Sequence, residues 1–194
     1  VPPLEIERWG VALHHSLSAR ARDFHSYEHV LDLVRPDDPL ETIAALYHDT
    51  VYVQVDLCVP PYYEALLDQY IQREDAGWRI LPKAASDPLT RDVLAVFARE
   101  AGQLLGTSTG LNELASALVV AKEFERVLSR THQIAIAACI EATIPFRDFD
   151  ADGWPGLPRF PPRPPAARPP EGAFPHGRIA RLRSSRCALA TPSF

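Results

Sequence analysis

The spacing of apolar residues along the first three quarters of the chain predicts a helical protein. Four segments repeat apolar residues three or four positions apart, as the buried face of a helix requires. They are Ile6, Trp9 and Leu13; Tyr27, Val30, Leu31 and Val34; Leu40, Ile43, Ala44 and Tyr47; and Leu89, Val93, Val96 and Phe97. Two more helices are predicted, one opening at 111–118 and one, nearly all apolar, over 134–144 that Pro145 would stop.

Local signals predict where these helices begin and break. Pro39 lies near the start of the third segment, and Ser86 or Asp87 is expected to cap a helix that takes Pro88 into its first turn. Residues 62–73 are predicted to be helical, residues 52–60 an extended turn or irregular helix end, and the stretch "GWRILPKAASDP" a loop. We therefore expect an all-α bundle of six or seven helices, forming one domain over residues 1–150.

The remaining segment, residues 151–194, has a different composition. It contains seven arginines, no lysine and ten of the 19 prolines, with only Asp152 and Glu171 as acids, whereas residues 1–150 hold 13 basic and 23 acidic residues. Such a proline-rich stretch is expected to be disordered or polyproline-II-like. Three interpretations stay open: a proline-rich ligand for a partner, a tail without a role, or a segment foreign to the fold that a frameshift in GC-rich DNA would produce.

Composition narrows the class of protein. No apolar run reaches the roughly 18 residues of a membrane span. Three widely spaced cysteines, Cys58, Cys139 and Cys187, argue against a disulfide scaffold and favour a reduced cytoplasmic protein. An acidic body and a tail without interleaved aromatic residues argue against nucleic-acid binding. The chain begins at Val1 and contains no methionine, which suggests a fragment.

Histidines and an aspartate form the one candidate for a metal-binding or catalytic site. His25 and His29 are four residues apart and share a helix face with Asp32, while His48 is followed directly by Asp49. Imidazole nitrogen and carboxylate oxygen suit divalent ions such as Mn, Fe, Co, Ni or Zn, and a bound ion activates water for hydrolysis of a phosphate ester. Spacing alone favours scattered polar residues in a helical protein over a metal site.

The two stretches that carry these residues, "FHSYEHVLDLV" and "AALYHDTVY", resemble the HD-domain superfamily of metal-dependent phosphohydrolases. They are similar in particular to small predicted members with an R-x-F/Y-H-x-x-x-H opening and an F/Y-H-D-x-x-Y doublet. The matching positions are Arg22, Phe24, His25, His29, Tyr47, His48, Asp49 and Tyr52, and the resemblance covers about residues 5–147.

The resemblance implies a role for each matching residue. His29, His48 and Asp49 would be ligands of a divalent metal ion, and Asp49 would also orient the attacking water. His25 would either support the metal ligands from just outside them or face the substrate, and Arg22 would contact a phosphate or pair with a carboxylate. We also assign Arg147 to substrate binding.

The final metal ligand of the superfamily is an aspartate on a late helix. Several residues of this chain are candidates for that position. Glu141 lies inside the predicted last helix and is a candidate ligand or base, as an alternative to a buried structural ion pair. Asp148 and Asp150 follow Pro145, and Asp56 is a second candidate for catalysis near the doublet. One interpretation is that this aspartate is absent and was replaced by the tail.

The sequence therefore predicts a metal-dependent phosphohydrolase. Its substrate would be a small phosphorylated molecule, a phosphate ester or a nucleotide, attacked by metal-activated water. The alternative is a non-catalytic HD-like helical module with an incomplete metal site that binds a small ligand or a protein partner. The sequence predicts no membrane association and leaves the oligomeric state open.

Overall fold

A computed structural model describes residues 1–19, 22, 27–106 and 110–144. Within those residues the chain is mostly helical and carries one small antiparallel sheet. The helices are α1 (Pro3–Leu17), α2 (Tyr27–Asp32), α3 (Pro39–Tyr47), α4 (Val53–Asp56), α5 (Pro61–Leu67), α6 (Lys83–Ser86), α7 (Pro88–Val96), α8 (Leu111–Glu123) and α9 (Arg130–Glu141). The strands are β1 (Ile71–Glu74), β2 (Gly77–Ile80) and β3 (Leu104–Leu105).

Helix α8 lies at the centre of the core. It packs against α3, α5, α7 and α9, and Leu114, Leu118 and Val119 are among its fully buried side chains. A helix that is apolar on nearly every side has to be surrounded by other elements. Helix α9 covers α8 and α3, with Ile136 and Ile140 in the same cluster.

Capping residues set the start of three helices. Asp38 accepts hydrogen bonds from the backbone of Leu40 (3.0 Å) and Glu41 (3.1 Å), ahead of α3. Asp87 accepts one from Thr90 (2.9 Å) ahead of α7, which confirms the predicted cap, and Pro88 lies in the first turn as expected. Ser129 caps α9, so that helix begins four residues earlier than predicted and ends at Glu141 rather than 144.

The sheet corrects the prediction of an all-α fold. The helix predicted over 62–73 ends at Leu67, and the segment predicted as a loop contains β2 and the single turn α6. Ile71 pairs with Ile80, and both side chains are buried in the core. Strands of four residues are too short to show a clear alternation, so only their pairing reveals them.

Glycine is required where the hairpin turns. Gly77 has φ +148°, and a Cβ at this position would collide with the Leu105 carbonyl oxygen on β3. The close approach of β2 and β3 therefore depends on the absent side chain.

Two further expectations were wrong. Ile6, Tyr27 and Leu31 lie on the predicted apolar faces, yet all three are exposed, and α2 buries only Val30. The described residues form more helices than the six or seven expected, because α4 and α6 are single turns. The turn predicted over 52–60 contains α4, and the residue that caps its C-terminal end, Leu57, lies in the left-handed region (φ 60°).

The tail predicted over residues 151–194 and the end of the domain predicted at residue 150 lie outside the described residues. Among the described helices, none combines the length and the apolar character that crossing a membrane requires.

Candidate metal centre

The site forms at the C-terminal end of α3. The apolar face of that helix ends at the buried Tyr47, and His48 follows as its C-cap with its backbone N–H donating to the Ala44 carbonyl (2.9 Å). The next residues turn away from the helix, which directs Asp49 to the same side as the His48 ring. Placing both side chains at a helix end lets them approach one point from different backbone directions.

His29, His48 and Asp49 gather into one cluster. Each offers a ligand atom, and these atoms lie within 4.8 Å of one another. The His48 Nε2 and Asp49 Oδ2 atoms are 2.8 Å apart, and the His29 and His48 ring centroids are 6.1 Å apart. His48 and Asp49 are buried and His29 is half-buried, so most of the cluster lies beneath the protein surface.

A backbone contact orients the His48 ring. Its Nδ1 lies 2.8 Å from the Ala45 carbonyl oxygen. A carbonyl can only accept, so Nδ1 carries the proton and donates. Nε2 is thereby directed at Asp49 and the cluster, which is the arrangement of a histidine that ligates a metal through one nitrogen while a second contact fixes the other.

Opposing effects act on the pKa of His48. Burial lowers it, but the charge of Asp49, the hydrogen bond to Asp49, the Ala45 carbonyl and the charge of Glu113 together raise it above its ordinary value. An imidazole binds metal only in its neutral form, so Nε2 of His48 would have to be unprotonated in order to hold an ion.

The donor set fits a divalent transition ion. Two imidazoles and one carboxylate are the nitrogen and oxygen donors that Mn, Fe, Co, Ni or Zn accept, and the cluster includes no thiolate. Three described donors leave further coordination positions to other groups or to solvent.

Arg22 holds the turn that follows α3. Its side chain is fully buried; Nε donates to both Asp56 oxygens (3.0 and 3.2 Å), and Nη2 also contacts Asp56. Nη1 donates to the Asp49 carbonyl (2.6 Å), and the guanidinium lies 5.7 Å from the centre of the Tyr52 ring. Of the two roles considered for Arg22, these contacts show the carboxylate pair. Its phosphate contact stays a prediction.

The other predicted catalytic groups are not among the three clustered ligands. The Asp56 carboxylate is bound to Arg22, and Glu141 is a buried residue at the end of α9 that does not belong to the cluster of His29, His48 and Asp49. Their catalytic roles stay predictions. His25, Arg147, Asp148 and Asp150 lie outside the described residues.

Three polar residues of α8 were not predicted from the sequence to contribute to this region. Asn112 Oδ1 accepts a hydrogen bond from the Val53 amide (3.0 Å), and Ser116 Oγ accepts one from the Val51 amide (3.0 Å). Glu113 lies beside Asn112 and acts on His48 through its charge. The available signal was a group of polar residues in the otherwise apolar stretch "LNELASALVV".

Comparisons with known proteins found no relative of this chain. The chain matches no model of a protein family, no curated protein and no solved structure. A function for the site therefore has to be argued from its own side chains.

Proposed function

We propose that this protein is a metal-dependent phosphohydrolase of the HD type that acts on a phosphate ester or nucleotide. The observation that carries the proposal is the convergence of His29, His48 and Asp49, whose ligand atoms lie within 4.8 Å. The resemblance of the two sequence stretches around these residues supports the same assignment.

The three clustered residues would hold the ion. A bound divalent ion supplies Lewis-acid chemistry, because it lowers the pKa of water and neutralises charge on a phosphoryl oxygen. The Ala45 carbonyl keeps the Nδ1 proton on His48, so that Nε2 presents its lone pair to the site. Arg22 fixes the Asp49 backbone through the Asp49 carbonyl, which limits the freedom of the carboxylate.

Metal content tests the binding half of the proposal. Purified protein should contain about one divalent ion per chain by elemental mass spectrometry, and His48→Ala should lose it. His132→Ala is the matched control, because His132 is an exposed histidine in the first turn of α9. Equal metal content in the wild type and His48→Ala would refute the site.

Turnover tests the catalytic half. We expect hydrolysis of at least one member of a panel of nucleotides and generic phosphate esters with Mn²⁺ or Mg²⁺, and its loss in Asp49→Ala. Metal retention without turnover across the panel would instead favour the non-catalytic module, which binds the ion but lacks a complete catalytic set.

A further inference from the structure

A surface cavity lies where the end of α1 meets the connection between α4 and α5. Its volume is about 510 Å³, within the range of about 300–1,000 Å³ that small-molecule sites in proteins occupy. Most of the residues that line it are apolar or aromatic, and the polar ones include His15, Ser16 and Asp56. A cavity of this size and composition suits a small ligand with a large apolar surface.

Two exposed aromatic side chains line this cavity. The rings of His15 on α1 and Tyr62 on α5 have centroids 5.5 Å apart and planes inclined by 31°. About half of Tyr62 is exposed (51%), and His15 is exposed as well. Because the two rings already contact each other, a planar ligand would stack against the outer side of the pair rather than between them.

Leu57 lies at the rim of the same cavity and has features that the fold does not require. It caps the end of α4 with a left-handed backbone (φ 60°), a conformation that favours glycine at the end of a helix. Its side chain is 75% exposed, so it adds little core packing that would offset this backbone cost. A large apolar side chain held in this way is available to cover a ligand.

The cavity is joined to the metal cluster through Arg22. Asp56 lines the cavity, and its carboxylate accepts hydrogen bonds from Arg22 Nε at 3.0 and 3.2 Å. Nη1 of the same guanidinium donates to the carbonyl of Asp49 at 2.6 Å. A single guanidinium therefore separates a residue of the cavity wall from the backbone of a clustered metal ligand. A molecule that occupied both places would need a planar, largely apolar end and an anionic end, and a nucleotide has both.

We propose that this cavity binds the base of a nucleotide whose phosphate lies at the metal cluster. The base stacks on Tyr62 and His15, and Leu57 shields it from solvent. The inference rests on the proposed function and deepens it, because it selects nucleotides over phosphate esters that lack a planar group. When one base stacks on an aromatic side chain, replacing that side chain with alanine weakens binding by about fivefold to a hundredfold.

Titration calorimetry on the full chain tests the inference. AMP, GMP, CMP and UMP are each titrated in EDTA, which prevents metal-dependent hydrolysis, and ribose 5-phosphate provides the phosphate without a base. At least one mononucleotide should bind about tenfold or more tightly than ribose 5-phosphate. Tyr62→Ala should weaken that binding by about fivefold or more, whereas Tyr62→Phe keeps the ring and should bind within about threefold of the wild type.

Tyr27→Ala is the matched control. Tyr27 is also an exposed tyrosine beside a histidine of α1, with its ring centroid 6.3 Å from that of His14, but it is not among the residues that line the cavity. Its removal should leave mononucleotide binding unchanged. Circular dichroism of each variant establishes that the fold is retained.

Leu57→Gly provides a second variant, and its fold should not be at risk. Glycine accepts the left-handed backbone, so the variant should be about as stable as the wild type in urea denaturation. It should nevertheless bind the mononucleotide about threefold or more weakly, because it lacks the side chain that shields the base.

The outcomes separate this inference from the proposed function. Mononucleotide binding that equals that of ribose 5-phosphate, or that is unchanged in both Tyr62→Ala and Leu57→Gly, would overturn the inference. The proposed function would survive that result if the protein hydrolyses ribose 5-phosphate or another ester with Mn²⁺. Mononucleotide binding that depends on Tyr62, without hydrolysis of any ester, would support the cavity as a nucleotide site and count against the phosphohydrolase.

Discussion

Two buried charged pairs flank the turn after α3, and they are built in opposite ways. In the Arg22–Asp56 pair, a guanidinium with many donors meets a carboxylate and two backbone carbonyls, so the opposing charges and hydrogen-bonding groups match. In the His48–Asp49 pair, a single imidazole nitrogen faces a carboxylate oxygen, and a second histidine lies close by. The first arrangement stabilises structure, and the second collects electron-pair donors that a cation can share.

Removing the charge of Arg22 should produce the largest effect on stability. Arg22→Met leaves the buried Asp56 carboxylate without its counter-ion and should lower the free energy of unfolding by about 3–5 kcal/mol. Urea denaturation followed by circular dichroism measures the change. Arg79→Met is the control, since Arg79 pairs with Glu74 at the exposed surface and should cost far less. Similar losses in both variants would mean that the buried pair has no special structural role.

The second pair should matter mainly when metal is present. At about one hundred times the dissociation constant, Mn²⁺ should stabilise the wild type by about 2.7 kcal/mol, or about 5–10 °C in Tm. Asp49→Asn should abolish this increase, and EDTA should reverse it in the wild type. Thermal denaturation measures both effects. Asp68→Asn, at an exposed position after α5, should behave like the wild type. An equal increase in Asp49→Asn would contradict a metal role for the pair.

Loss of the hydrogen bond that α8 accepts from the turn should have an intermediate effect on stability. Asn112→Ala removes the acceptor of the Val53 amide and should destabilise the fold by about 1–3 kcal/mol. Chemical denaturation provides the value, and Ser116→Ala should act in the same direction through Val51. Ser86→Ala serves as the control, because this exposed hydroxyl donates to the Lys83 carbonyl within its own helical turn. No loss in either α8 variant would show that the turn keeps its position without α8.

The smallest effect should come from an ion pair far from the site, Asp87–Lys122. Burial raises the pKa of Asp87, but the Lys122 ammonium and the Thr90 amide lower it more, to about 2. This value lies below the ordinary 3.8, so the pair contributes stability above about pH 4 that is lost as the pH falls to about 2.

Solvent screening limits that contribution to about 1 kcal/mol or less. Asp87→Asn keeps a cap for α7 but removes the titration, so its unfolding free energy should fall less than that of the wild type between pH 4 and pH 2. Urea denaturation at several pH values checks the difference. Parallel pH dependence in the two proteins would rule out the pair as its source.

Much of the helical framework could be predicted because its signals are local. Pro39 and the Asp87–Pro88 pair mark helix starts through their own backbone chemistry. The strands could not be predicted, because Ile71 and Ile80 become strand residues only by pairing with each other. Tyr27 and Leu31 lie on a predicted apolar face but are exposed, since periodicity predicts which residues share a face but not whether another element covers it.

The same distinction between local signals and tertiary contacts applies to the candidate site. The sequence by itself determined which residues could ligate a metal, because histidine and aspartate have that chemistry wherever they lie and their helical spacing is a local property. Only the tertiary structure decided that His29 meets His48 and Asp49, that Arg22 pairs with Asp56, and that α8 is attached through Asn112. The reason is physical: these partners are far apart along the chain, and only the packing of α2, α8 and the turn after α3 brings them within hydrogen-bonding or ligand distance.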